Sequence, residues 1–261
     1  MTTFRSALFA GTAFLAACGV SAPSDAVATN AAQEMSDEEF DQRLREALIR
    51  NPQMIIEAIE AYRAELEAQA AAATEDAVRA AIPTLIEGSS GVAFGADLDK
   101  ADVVIVEFFD YHCGFCQRAM DEVLSVIEEK ATARVVFQEL PVLREESRSA
   151  ALRALAAAQV SDEDYRKAHL AMMRHGGLLD DEAMDRVLKK AGVNVKAVDR
   201  AMNTDRAIIT DKLEDSIGYG QRLGIAGTPF FIIVNPKTQS IQILEGYQPG
   251  NVKEAVAAVL G

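Results

Sequence analysis

Asp102-Val103-Val104-Ile105-Val106-Glu107-Phe108-Phe109-Asp110-Tyr111-His112-Cys113-Gly114-Phe115-Cys116 joins a strand signal to a helix signal, with a cysteine pair at the joint. Asp102 to Phe109 is β-branched and aromatic with almost no polar interruption, the pattern of a strand covered on both faces. From about Gly114 to Lys130 the apolar residues Met120, Val123, Leu124 and Ile127 fall on one helical face, and Arg134 to Leu140 reads as a second strand. Strand, helix and strand in that order predict a β-α-β unit inside an α/β domain.

The cysteines stand where chemistry is cheapest to perform. Two residues apart, they can close and open a disulfide within one helical turn. Because the pair follows a buried strand and opens a helix, the Cys113 sulfur faces free backbone N–H groups and the positive end of the helix dipole. That placement predicts a lowered pKa and a nucleophilic role for Cys113, with Cys116, one turn in, as the resolving thiol.

Downstream, 142–223 is helical throughout, with N-caps expected at Ser161, Asp180, Asn194 and Thr204. The sheet resumes at Thr228-Pro229-Phe230-Phe231-Ile232-Ile233-Val234, turns at Asn235-Pro236 and pairs back through Ile241 and Ile243, before a last helix over Val252 to Leu260. Upstream, Ser36-Asp37-Glu38-Glu39 is a capping box that starts a helix carrying Phe40, Leu44 and Leu48. Asn51-Pro52 punctuates it, and a second helix places Ile55, Ile59, Tyr62 and Leu66 on one stripe. That stripe packs either on the main domain or on the same helix of another subunit. Helical propensity lasts to Ala81, after which Pro83, Gly88, Ser89, Ser90, Gly91 and Gly95 predict a boundary. The expected regions are thus 36–81, helical and a possible oligomerisation element, and 82–261, the main domain with its insertion.

Residues 1–17 hold one cation, Arg5, and an apolar run too short for a permanent membrane anchor, which is the form of a secretory signal. The run ends Leu15-Ala16-Ala17-Cys18 and resembles a bacterial lipobox, so Cys18 is the expected lipidation site and 18–35, poor in large apolar residues, a flexible tether. An ordinary signal peptide followed by an incidental cysteine is the alternative. Either way the expected compartment is the bacterial periplasm.

Across 261 residues, 49% are apolar, enough for a substantial core, and the formal net charge of −14 argues against nucleic acid as a partner. Cysteines number only three, too few for a disulfide scaffold. For Cys113 and Cys116 the competing reading is metal binding. Zinc wants four ligands, and only His112 stands near as a third, so a soft ion such as Cu(I) suits the pair better than Zn2+. His169, His175 and the Met172-Met173 pair read as packing or surface residues of the insertion.

The run Phe108-Phe109-Asp110-Tyr111-His112-Cys113-Gly114-Phe115-Cys116, with Gly224-Ile225-Ala226-Gly227-Thr228-Pro229 far downstream, resembles the DsbA family, and within it the ScsC-type members that carry an extra N-terminal helical region. The resemblance spans about Ile82 to Leu260. It implies a thioredoxin fold with an inserted helical subdomain and no cofactor or bound metal. It also implies a cis Pro229 beside the cysteines, with Thr228 offering a backbone edge to an extended client chain. A trans proline opening an ordinary strand is the alternative. Glu107 matches a family position where a buried acid moves a proton to or from the resolving thiol. Tyr111 and Phe115 flank the centre, where an exposed aromatic would suit unfolded or disulfide-containing envelope clients, and the resemblance implies a membrane redox partner as well.

The direction of electron flow is less legible. Strongly oxidising members of the family carry histidine before the second cysteine, where this chain has Phe115. Thr228 before the proline and the 36–80 helices are similar instead to oligomeric envelope isomerases. An oxidase or isomerase of protein disulfides is the expectation, against a reductase dedicated to one client or a lipid-anchored copper-binding or scaffold protein.

Overall fold

The computed structural model describes residues 35–261. The expected signal sequence, Cys18 and nearly all of the tether lie outside the described residues. No helix among the described residues is long and apolar enough to cross a membrane. Contacts divide the described residues into two units, those up to Glu60 and those from Ala61 on.

The first unit contains α1, Asp37–Arg50, and the start of α2, Gln53–Glu87. Ser36 caps α1 by accepting from the Glu39 backbone N–H at 3.2 Å, but the Glu39 carboxylate pairs with Arg43 instead of reaching back. Phe40, Leu44 and Ile49 on α1, and Ile55, Ile59, Tyr62 and Leu66 along α2, are exposed.

The helix boundary expected near Ala81 is not there, because α2 continues through Pro83 to Glu87. Pro83 lies on the solvent side, where the carbonyl it leaves without a donor can be hydrated, while Val78, Ile82, Leu85 and Ile86 are buried. Each such burial contributes roughly 1.5–3 kcal/mol, so packing on both sides of the proline outweighs the local penalty. The Arg134 guanidinium fastens the end of the helix by donating to the Ile86 and Glu87 carbonyls.

In the second unit a sheet of five strands runs in the order β1-β3-β2-β4-β5. These are β1 Val92–Gly95, β2 Val103–Phe109, β3 Ala133–Glu139, β4 Phe230–Val234 and β5 Ile241–Glu245. β2 and β3 are parallel and joined by α3, Gly114–Glu129, whereas β1 on β3, β4 on β2 and β5 on β4 are antiparallel. The edge strand β1 was hidden in the sequence among turn residues. Gly91 before it and Gly95 at its end serve close approach: a Cβ on Gly91 would lie 2.5 Å from the Phe137 carbonyl oxygen, and one on Gly95, at φ +90°, would overlap that of Ala133.

The insertion comprises α4 Glu145–Val160, α5 Asp162–Met173, α6 Asp181–Lys190, α7 Val195–Thr204 and α8 Arg206–Arg222, and α9 Asn251–Leu260 closes the chain. Ser161, Asp180 and Asn194 cap α5, α6 and α7. Thr204 does not cap α8; it ends α7, with its hydroxyl donating to the Arg200 carbonyl. Val103, Ile105 and Phe109 face a core built with α3, α9 and the insertion, and Val104, Val106 and Phe108 face a second core closed by the last turns of α2 and the end of α8.

Candidate active site

Cys113 is the N-cap of α3, in extended conformation, and its sulfur accepts from the Cys116 backbone N–H at 3.4 Å. The same sulfur lies 3.0 Å from the Thr228 carbonyl, to which the thiol donates. Both cysteines are free thiols. A hydrogen bond from the Cys116 thiol, helped by Thr228 and by the backbone N–H groups of Cys116 and Phe115, holds the Cys113 thiol down at about 6 against the opposing effect of burial. Burial pushes the Cys116 thiol up, and its bond to Cys113 and the nearby Glu107 carboxyl push it further. The two sulfurs are therefore unequal although both are buried: Cys113, at the opening of α3, ionises readily, and Cys116, one turn further in, keeps its proton.

Glu107, at the centre of β2, is fully buried opposite Phe137 and Phe231. Neither carboxyl oxygen has a hydrogen-bond partner among the described residues. Burial, then the proximity of Cys113, raises its pKa well above the usual carboxylate range. A neutral acid with free lone pairs, within electrostatic reach of Cys116, is equipped to hold or yield one proton.

The Thr228-Pro229 peptide is cis and lies beside Cys113, bringing together residues from the two ends of the domain. From there a groove of about 730 Å³ runs past Phe115, Ile243, Tyr247 and Thr74 of α2. Phe115 is 53% exposed, with the Arg118 guanidinium over its ring at 4.3 Å.

Tyr111 does not share that surface, contrary to the expectation that it would meet clients. It is buried, donating to Glu139 at 3.1 Å and lying 3.2 Å from His169 Nδ1, because the chain turns inward after β2 and the ring packs edge-on to Phe109. Burial raises the pKa of Glu139 and lowers that of His169 to about 3. His112 is equally unavailable as a metal ligand: Nε2 accepts from the Leu179 N–H at 3.0 Å and Nδ1 is bonded to Ser147 Oγ at 2.9 Å. Among the described residues no group of three or more potential ligands gathers.

Asp110 and Ser147 were missed in the sequence. The Asp110 carboxylate is buried and takes four hydrogen bonds, from the backbone N–H groups of His112, Val142 and Leu143 and from the Ser147 hydroxyl. The local part of this arrangement, an aspartate accepting from the backbone two residues on, is an Asx turn legible at Asp110-Tyr111-His112.

A sequence model of the DSBA-like thioredoxin domain matches residues 104–254. The chain belongs to the DsbA-like thioredoxin family. Among solved structures it is similar to a thioredoxin-like oxidoreductase from Silicibacter pomeroyi DSS-3, at 30% identity over 66% of this chain and 94% of that one, with a TM-score of 0.57. The thiol-disulfide exchange protein alpha-DsbA2 from Wolbachia pipientis shares 24% identity over 72% of this chain and 95% of its own, with a TM-score of 0.62. A linker-deletion form of ScsC from Proteus mirabilis covers 89% of this chain and 98% of its own, at 22% identity and a TM-score of 0.62. No curated protein matches the chain. As a member of the DsbA-like family it is a thiol–disulfide oxidoreductase, and the fold that family implies, a thioredoxin domain with helices inserted and helices before it, is the fold observed.

Proposed function

We propose that this chain exchanges disulfides with protein clients in the bacterial periplasm through Cys113 and Cys116, as an oxidase or isomerase. The observation that carries the reading is the seat of Cys113, capping α3 with its sulfur on the Cys116 N–H and the Thr228 carbonyl. In isomerisation the Cys113 thiolate attacks one sulfur of a client disulfide, forming a mixed disulfide and releasing the other client sulfur as a thiolate, which can then attack elsewhere in the client. If the client stalls, Cys116 gives its proton to Glu107 in the fraction of molecules where that carboxyl has ionised and attacks Cys113, so the client leaves reduced and Cys113-Cys116 is oxidised. Oxidation of a client dithiol runs these steps backwards: a client thiolate attacks Cys113, Cys116 leaves, and Glu107 returns the proton. A membrane redox partner then resets the pair.

An ionised Cys113 is a good leaving group, so mixed disulfides turn over quickly and the dithiol form is stabilised relative to the disulfide, both suited to an oxidant or isomerase. Thr228 and Pro229 offer the client a backbone edge, and Phe115 offers an apolar contact at the groove mouth. The exposed apolar stripe of α2, Ile55, Ile59, Tyr62 and Leu66, supports self-association of the N-terminal region, the arrangement that favours an isomerase. Lipidation at Cys18 would hold the chain at a membrane.

The test is refolding of a scrambled-disulfide substrate against a reduced one, by full-length protein and by a form lacking residues up to Glu60. The cut stops there because Val78 belongs to the core of the second unit. Isomerase function predicts that the truncation loses activity on the scrambled substrate and keeps oxidation of the reduced one. No activity on either substrate by the full-length protein would refute the reading.

A further inference from the structure

The residue just before the nucleophile is tied to the helical insertion, not to solvent. The His112 side chain is 4% exposed. A backbone N–H can only donate, so the bond from Leu179 N to Nε2 means that Nε2 presents a lone pair. The neutral ring therefore carries its proton on Nδ1 and donates it to Ser147 Oγ, 2.9 Å away. The Ser147 hydroxyl, itself buried, donates in turn to Asp110 Oδ1 at 2.8 Å. Every proton in this chain points the same way, from Leu179 through His112 and Ser147 to the buried carboxylate of Asp110.

That carboxylate also accepts from His112 N at 2.8 Å, and the Asp110 carbonyl accepts from Cys113 N at 3.0 Å, closing the turn that ends at the nucleophile. Its other oxygen takes Val142 N and Leu143 N, each at 3.0 Å. The turn at 110–113 is thus clamped to the segment after β3, to α4 and to the residue before the Asp180 cap of α6. Nothing else among the hydrogen bonds of the described residues joins the redox loop to the insertion at so many points, and none of the three side chains is hydrogen-bonded to either sulfur.

We propose that Asp110, His112 and Ser147 are positioning residues for disulfide exchange: their one-directional hydrogen-bond chain holds the 110–113 turn so that the Cys113 sulfur stays on the N–H groups opening α3. The inference rests on Cys113 being the activated nucleophile. Loosening the clamp lets the sulfur drift off its donors, and a thiolate without donors is less stable. A group that merely held the fold together would lower the melting temperature and leave the thiolate alone.

The experiment titrates the Cys113 thiolate of reduced full-length protein by its ultraviolet absorbance, in wild type, Ser147→Ala, His112→Ala and His112→Gln, with thermal unfolding in parallel. Ser147→Ala removes one oxygen and no bulk, so it decides the matter if His112→Ala fails to fold. His112→Gln restores an acceptor in reach of Leu179 N. The expected result is a midpoint raised by about one pH unit in both alanine variants, a roughly tenfold loss of thiolate below the midpoint, with His112→Gln between them and wild type. Folded alanine variants that titrate like wild type would overturn the proposal while leaving Cys113 as nucleophile. A wild-type midpoint in the ordinary thiol range would remove the nucleophile reading, and the clamp with it.

Discussion

Replacing Glu107 by glutamine should stabilise the reduced protein and slow its chemistry at the same time. The carboxyl is fully buried in β2 with both oxygens unbonded, and burial raises its pKa well above the usual range. In the unfolded chain a glutamate ionises near its ordinary value of about 4.3. Above that pH the unfolded state has released the proton and the native state still holds it. The native state then binds one more proton than the unfolded, so stability falls as pH rises, by about 1.4 kcal/mol per pH unit, until the native carboxyl also ionises. Glutamine has nearly the same shape and no proton to lose. Denaturant unfolding at several pH values should therefore show little difference between variant and wild type in the acid range, and a stability advantage for Glu107→Gln that widens toward neutral pH. Glu139, also buried with a raised pKa, keeps part of the wild-type slope in both proteins. In the same variant the proton exchanged with Cys116 loses its carrier, so release of client from the mixed disulfide should slow, on the order of a hundredfold. A stability difference that does not change with pH would refute the assignment, because it would mean that Glu107 ionises normally in the folded state.

Two further outcomes follow from the site and from α2. Cys116→Ser leaves Cys113 on its helix cap but removes the resolving sulfur, so client proteins should accumulate as mixed disulfides at Cys113, detected by non-reducing electrophoresis and mass spectrometry; an even distribution over other residues would contradict the assignment. Ile59→Glu combined with Leu66→Glu puts two charges on the exposed stripe of α2, and light scattering should show a smaller assembly than wild type with unchanged oxidation of a reduced client; an unchanged mass would remove the stripe as an assembly surface.

The β2-α3-β3 unit was legible because its burial pattern is local: continuous apolar residues for a strand covered on both faces, then a fourfold helical stripe. β1 was not, since a four-residue strand that follows one glycine and ends on another carries no period, and its place is set by pairing with β3, far along the chain. Pro83 misled for a related reason, as the burial of Ile82 and Leu85 on a distant sheet decides its helix. At the site, the cysteine pair and Thr228-Pro229 were readable as motifs. Tyr111 was misplaced because motif position says nothing of which way a side chain turns after a strand ends. Asp110 was overlooked because three of its four partners, Val142, Leu143 and Ser147, lie across the fold.

The most direct test of Cys113 as the activated sulfur is the pH dependence of its alkylation in the reduced, folded protein, mapped by mass spectrometry. The account predicts a rate that follows a single ionisation with midpoint about 6 at Cys113, with Cys116 unmodified over the same range. Equal labelling of both cysteines with a midpoint in the ordinary thiol range would contradict it.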